Sequence, residues 1–328
     1  MRVSVATPVY SVSRYIERCA RSLFEQTYDD IEFVFVDDAS PDNSMEILRG
    51  LLPLYPGRNN SIKIITHPHN RGLSAARNTA VEHCSGDFII HVDSDDYLEK
   101  DAIEKLVEMQ ARTGADIVSG DAVSHTRQGD FPFDEPDYPD KYAMLRNLTG
   151  QMGHHMIWGR LIRKSLYTDN HISAEEGCNV GEDWQAIVPL VYYSNTIAHL
   201  HSRIYHYNCM NPASYMAQKN STGINEKIAR QDFRSLEIVK GFVEGKDQQL
   251  YSLIKATGRT FAHSIMDECV KQNKHSLFLY FSRELDADND LFDRGFLSRM
   301  VDRCFPCYWL YYNMRRIYRK LFVLRFSA

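Results

Sequence analysis

Apolar residues in the first 120 positions fall into short runs separated by stretches of helical spacing. Residues 3–6, 31–36, 62–66 and 88–92 are rich in β-branched and aromatic side chains and bounded by polar ones, the pattern of buried strands. Between the first two, Ile16, Cys19, Ala20, Leu23 and Phe24 recur every three or four residues after a polar turn in which Ser13 is placed to cap a helix. A second helix is expected from Ser40-Pro41-Asp42 through Leu51, since proline is tolerated in a first helical turn. Further helices are expected over 73–84 and 98–112, and another strand beginning at 116–119. Strands separated by helices imply right-handed crossovers. The predicted fold is therefore α/β, a Rossmann-like, mostly parallel central sheet flanked by helices.

Beyond residue 120 the pattern changes. Residues 125–140 are rich in Asp, Pro and Gly and read as a loop. Mixed structure returns over 141–210, with an apolar run at 187–191 and a strand at 204–207. Residues 208–223 are polar and turn-prone, which suits a lid. From about residue 224, Phe233, Leu236, Val239 and Val243 form a helical stripe, and a C-terminal helical extension is expected. The division is a catalytic region at 1–215 and a helical region at 216–328.

The chain has 328 residues and is 44% apolar, enough for one large domain or two modest ones. A net charge of −5 provides no basic field to recruit nucleic acid. Seven scattered cysteines, an odd number, argue for reduced thiols and a cytoplasmic protein. The N-terminus enters a strand after one Arg, so no signal peptide is expected. No uncharged apolar stretch reaches the roughly 18 residues of a spanning helix. Cys304-Phe305-Pro306-Cys307 is a lone CxxC and lacks the second ligand pair of a zinc site. His67-Pro68-His69, His154-His155 and His199-x-His201 lack the i, i+4 spacing of helical zinc ligands, and 13 histidines make such pairs common.

The chemistry concentrates after the fourth strand, in Val92-Asp93-Ser94-Asp95-Asp96. Three carboxylates within four residues repel, and their pKa values rise unless a cation neutralises them. A hard divalent ion, Mn²⁺ or Mg²⁺, fits, with phosphate oxygens completing its shell. Neither G-x-G-x-x-G nor a P-loop is present, so a nucleotide must be gripped otherwise. Pro8 and Tyr10 after strand one, Asp38 after strand two, the segment from Asn70 to Arg77 after strand three, and Asp93 and Asp95 after strand four share one edge of the sheet and can line one crevice. Taken singly these residues have plainer readings. Asp38 and the acids after the fourth strand could be helix caps, Arg77 a surface arginine, and Asp183 a helix-start acid.

The ordered set of motifs resembles family 2 glycosyltransferases, which have the so-called A-type fold. The matching stretches are Val3-Ser4-Val5-Ala6-Thr7-Pro8-Val9-Tyr10, Ser22-Leu23-Phe24-Glu25-Gln26-Thr27-Tyr28, Val36-Asp37-Asp38-Ala39-Ser40-Pro41-Asp42, Asn70-Arg71-Gly72-Leu73-Ser74-Ala75-Ala76-Arg77-Asn78, Asp93-Ser94-Asp95-Asp96 and Gly181-Glu182-Asp183-Trp184. They span roughly the first 210 residues. The resemblance implies an inverting, metal-dependent enzyme acting on a nucleotide sugar, with UDP favoured over GDP. By that resemblance Pro8 and Tyr10 lie against base and ribose, and Asp38 accepts from the uracil imide. Asn70, Gly72 and Arg77 lie near the base or diphosphate. Asp95 binds the metal, Asp93 contacts ribose or the metal's water shell, and Asp183, in the Glu182-Asp183 pair, is the base. Asp96 is left as a helix-start acid. Trp158 resembles a segment near the acceptor, with a core tryptophan as the alternative, and His206 could contact the diphosphate.

The implied acceptor is a glycan or lipid-linked glycan of the cell envelope. In the tail, Tyr308, Trp309, Leu310, Tyr311, Tyr312, Ile317, Leu321 and Phe322 interleave with Arg315, Arg316, Arg319, Lys320 and Arg325. Such a helix suits an anionic membrane surface on the inner face of the cell membrane, or packing on this domain or a second copy; both stay open. Two other functional readings stand beside transfer. One is a nucleotide-sugar-binding protein without catalysis, against which Asp95 and Asp183 argue. The other is a nucleotidyltransferase, which would want a Gly-rich, basic loop after strand one.

Overall fold

The computed structural model describes residues 1–150, 155–214, 217, 223–287 and 303–318. The four predicted strands are present as β1 (Val3–Val9), β2 (Ile31–Asp37), β3 (Ile62–Thr66) and β4 (Phe88–His91). β1, β2 and β4 are buried along their whole length, which explains continuous apolar runs rather than alternation. The helices between them are α1 (Ile16–Phe24), α2 (Ser44–Leu51) and α3 (Leu73–His83). β1 pairs in parallel with β2 on one side and β4 on the other, and β2 pairs with β3. The chain thus winds outward from β1 in one direction and returns to start in the other. The crevice at the carboxyl ends of β1 and β4 lies at this reversal, where open α/β sheets bind ligands.

Past β4 come β5 (Tyr97–Leu98), α4 (Ala102–Thr113), β6 (Ile117–Thr126), β7 (Gly129–Phe133), α5 (Lys141–Thr149), β8 (Arg160–Arg163), α6 (Lys164–Asp169), α7 (Glu182–Tyr193) and β9 (Ile197–Asn208). The sheet order is β3-β2-β1-β4-β8-β6-β9-β5, with β7 on β6. The sheet is parallel from β3 to β4 and at β6–β9, but antiparallel at β4–β8, β6–β8, β6–β7 and β5–β9, so it is mixed beyond the β1–β4 half.

Four local expectations are corrected. Ser13 caps nothing: its N–H goes to Asp42, 2.9 Å away, and α1 starts after Tyr15. α2 starts at Ser44 rather than at Ser40-Pro41-Asp42, because Asp42 is consumed as a turn acceptor from Ser13, Ser40 and Ser44. The 98–112 helix begins only at Ala102, since Tyr97 and Leu98 pair with His206 and Tyr205 of β9. The 125–140 loop contains β7, which pairs with β6 and carries Pro132 on an exposed edge strand. The apolar run 187–191 is the buried interior of α7.

The C-terminal region is helical as expected: α8 (Glu226–Val243), α9 (Gln248–Lys271), α10 (His275–Ala287) and α11 (Phe305–Tyr318). Leu236, Val239 and Val243 of α8 join the core under α7, whereas Ala229 and Phe233 join a separate cluster with α9, α10 and α11. Phe305 and Tyr308 bury one face of α11, while Trp309, Leu310 and Met314 stay 49%, 56% and 61% exposed. Among the described residues no helix is long and apolar enough to cross a membrane. The side chains of Arg315, Arg316 and Ile317, all of Arg319, Lys320, Leu321, Phe322 and Arg325, His154, and parts of the 208–223 lid lie outside the described residues.

Candidate active site

The acidic turn after β4 gives each of its aspartates a different environment. Asp96 is fully buried. Its oxygens accept from Tyr205 Oη and Asn208 N, each at 2.7 Å. It is therefore not a helix-start acid, a place taken by Asp101 before α4; it fastens the turn to β9. Burial, then Asp95 and Asp93, push its carboxyl well above the usual range. Asp95 accepts from the neutral Asn211 Nδ2 at 2.7 Å. Burial first, and Asp93 second, push its pKa up to about 6. Asp93 accepts from Arg77 Nη2 at 2.7 Å.

Arg77 is the hub of the site. It lies on α3, with its side chain 7% exposed. Nη1 is 2.9 Å from Glu182 Oε1 and also pairs with Asp183, while Nη2 takes Asp93. Burial lowers its basicity, but Asp93 and Glu182 outweigh this and hold the guanidinium more firmly charged than usual. Burial raises the Glu182 carboxyl, against the pull of Arg77. Glu182 and Asp183 start α7, where the helix dipole favours carboxylates. The surface-arginine reading is thereby excluded, and the guanidinium expected toward base or diphosphate is turned onto the acids. Three carboxylates share this one cation, with Asp95 beside them. All the donors at the β4 turn are oxygens, so Asp93 and Asp95 suit a hard divalent ion.

The α3 end of the crevice is built by Asp38, which follows β2 and is 2% exposed. Its Oδ1 accepts from Arg71 N at 2.8 Å and lies 2.7 Å from His67 Nδ1, and its Oδ2 accepts from Gly72 N at 2.8 Å. His67 reaches on to Thr79 Oγ1 at 3.0 Å, so this histidine belongs to the loop's scaffold. Gly72 sits at φ +93°, and a Cβ there would lie 2.4 Å from the Asn179 side chain. Only glycine fits the start of α3 while Asn179 reaches Ser74. Pro8 is buried in β1 beyond its last pair with β4, Tyr10 just after it is 46% exposed, and Asn70 is exposed. All these residues stand at the same sheet edge as Asp93.

Tyr205, Asn208, Asn211 and Asn179 complete the site but were not singled out in the sequence, and His67 was weighed there only as half of a zinc-ligand pair. Tyr205 is one of 19 tyrosines, and nothing local marks it. Trp158 is a core residue, stacked on Tyr205 with centroids 4.4 Å apart. His206 stacks on Tyr97 at 4.2 Å and pairs with Glu99 at 2.8 Å. Beneath Arg77, Glu182 and Asp183 lies a cavity of about 20 Å³ that also touches His91 and Tyr167.

A sheet that reverses between β1 and β4, with an acidic turn at that crevice, is the architecture of the A-type glycosyltransferases. The model of glycosyl transferase family 2 matches residues 4–169. The chain belongs to that family. Over 219 residues it is 32% identical to glycosyltransferase GlyA of Streptococcus pneumoniae, a match covering 63% of this chain but only 30% of that protein's length. The structure of S. aureus TarS 1-349 superposes with a TM-score of 0.65 at 18% identity, covering 86% of this chain and 79% of that one. Mannosyltransferase PcManGT from Pyrobaculum calidifontis, solved with GDP-Man and Mn²⁺, gives a TM-score of 0.56 at 17% identity, covering 97% and 88%. At such identities these two likenesses are of fold.

Proposed function

We propose that this protein is an inverting glycosyltransferase that moves a sugar from a UDP-linked donor to a hydroxyl of a glycan or lipid-linked glycan acceptor. The observation that carries the reading is the placement of Asp183 and Glu182 against Arg77 and Asp93, which joins a candidate base to the acidic turn. TarS, a fold neighbour, has been solved with UDP-GlcNAc. In this reading Tyr10 and Pro8 flank the base. Asp38 holds the Arg71–Gly72 loop that walls the base pocket, and the lone pair left on its Oδ2 takes the imide N–H. Asn70 and Gly72 line the same wall. Asp95, with Asp93, would hold Mn²⁺ or Mg²⁺, which would neutralise charge on the departing diphosphate.

Asp183 takes the proton of the acceptor hydroxyl, whose oxygen attacks the anomeric carbon opposite the leaving group. One displacement inverts the configuration and needs no covalent intermediate. Arg77 pairs with Asp183 and aims it, and Glu182 shares that guanidinium. Residues 1–215 would carry this chemistry. The 216–328 helices would present the exposed apolar side of α11, followed in sequence by basic residues, to an anionic membrane surface on the cytoplasmic side. The test is UDP release from a panel of UDP sugars with Mn²⁺ and candidate acceptors. Wild type should turn over one donor, and Asp183→Asn should bind UDP but not transfer. Turnover by Asp183→Asn at the wild-type rate would remove Asp183 as base.

A further inference from the structure

β9 carries a second constellation of ligating side chains that sugar transfer does not use. His199 and His201 stand two residues apart in an extended strand, which places both rings on one face. The H-x-H spacing, uninformative on a helix, is a ligand spacing on a strand. The rings are 4.2 Å apart and tilted by 52°. The β6–β9 register slips at this point, from Gly120 opposite Leu200 to Asp121 opposite Arg203. Such bulges re-aim side chains and are common beside functional sites. Asp137 faces the two rings, its Oδ1 2.8 Å from His199 Nδ1 and 3.3 Å from His201 Nε2.

The support behind these groups is already built. His199 Nε2 is 2.8 Å from Oδ1 of the buried Asp121, and Asp137 on Nδ1 fixes which ring nitrogen faces Asp121. Asp121 also accepts from Glu135 N at 3.0 Å. The segment carrying Asp137 is held by Glu135 on the buried Arg160, both contacts 2.9 Å, and by Asp134 on Arg203, both 2.8 Å. Among the described residues, Asp121, His199 and His201 form the one group of three whose ligating atoms all lie within 4.8 Å of one another.

We propose that Asp121, His199 and His201 bind a single divalent transition-metal ion of the Zn²⁺ class, with Asp137 as the carboxylate that orients His199 through its other ring nitrogen. Two imidazoles and one carboxylate suit Zn²⁺ and its borderline neighbours rather than Mg²⁺, and leave one coordination position for water. A carboxylate on the far nitrogen of a ligating histidine is the usual outer partner. The ion would clip β6, through Asp121, to β9. The proposal is independent of the sugar-transfer reading.

The test uses tag-free, chelator-treated full chain carrying Cys304→Ser and Cys307→Ser, which removes the CxxC thiols as competing zinc ligands. Excess Mg²⁺ occupies oxygen-only sites. Zn²⁺ is titrated calorimetrically and Co²⁺ by visible absorption. One equivalent should bind, with ligand-field bands for Co²⁺. Asp95→Asn should leave both signals intact. His201→Gln, at a side chain 68% exposed, should fold normally and weaken Zn²⁺ binding by roughly tenfold or more. Absence of Zn²⁺ uptake by the parent protein, or unchanged uptake by His201→Gln, would overturn the proposal and leave a protonated His199 bridging two aspartates.

Discussion

Removing the Arg77 guanidinium should expose the electrostatic cost of assembling the site. In Arg77→Met, Asp93, Glu182 and Asp183 keep their positions but lose their shared cation. Both Arg77 and Glu182 are nearly excluded from water, with side chains 7% and 8% exposed. Breaking a buried pair by deleting one partner costs about 3–5 kcal/mol, most of it the penalty on the charge left behind. For a chain of 328 residues, with an unfolding entropy of about 2.1 cal/mol/K per residue, that is a fall in Tm of roughly 4–7 °C. The pH dependence follows in sign. Burial already holds the folded Glu182 pKa above its unfolded value near 4.3 against the pull of Arg77, and without Arg77 it rises further. The penalty is therefore present above that value and relieved as pH falls through the raised folded one. Urea unfolding of wild type and variant at pH 8, 7 and 6 should show a gap that narrows toward acid. Adding Glu182→Gln should restore about 1–3 kcal/mol, since the two positions are coupled. A gap below about 1 kcal/mol that does not vary with pH would refute the claim that Arg77 is the keystone.

Four further outcomes follow from the same geometry. Asp183→Asn should lower transfer by about 10²–10⁴-fold, the usual contribution of a general base, while UDP affinity by calorimetry stays within about twofold. Asp95→Asn should abolish the extra thermal stabilisation that Mn²⁺ gives in the presence of UDP, about 2.7 kcal/mol at a hundredfold excess over Kd in wild type. Gly72→Ala should cost about 1–3 kcal/mol in urea unfolding and weaken UDP binding, because φ +93° and the Asn179 contact leave no room for a Cβ. His91 is buried beside Tyr167, and burial, then Arg77, hold its pKa down to about 3. It stays neutral in the fold but takes up a proton when unfolded below about 6.5, so stability should fall by at most about 1.4 kcal/mol per pH unit from there toward 3. His91→Gln should flatten that slope.

The β1–β4 half of the fold was legible because β1, β2 and β4 are buried on both faces and their apolar runs are unbroken. β7 and β8 were hidden: β7 carries Pro132 on an open edge, and β8 carries Arg160, whose charge is buried only because Glu135 meets it from a distant loop. The site acids were legible as a cluster, since repulsion among Asp93, Asp95 and Asp96 is a local property. Their division of labour was not. Asp96 owes its role to Tyr205 and Asn208, more than 100 residues away, and Arg77 becomes buried only when α7 closes over α3. The His199-x-His201 pair needed the strand and its bulge before its spacing acquired meaning.

The central claim is single-displacement transfer at the Asp183 crevice, and the product's configuration reports on it without a known acceptor. With Mn²⁺ and an α-linked UDP sugar that the protein turns over, slow hydrolysis should release a sugar whose first ¹H NMR spectra, taken before mutarotation, show the β anomer, and Asp183→Asn should release none. Early appearance of the α anomer would contradict the account.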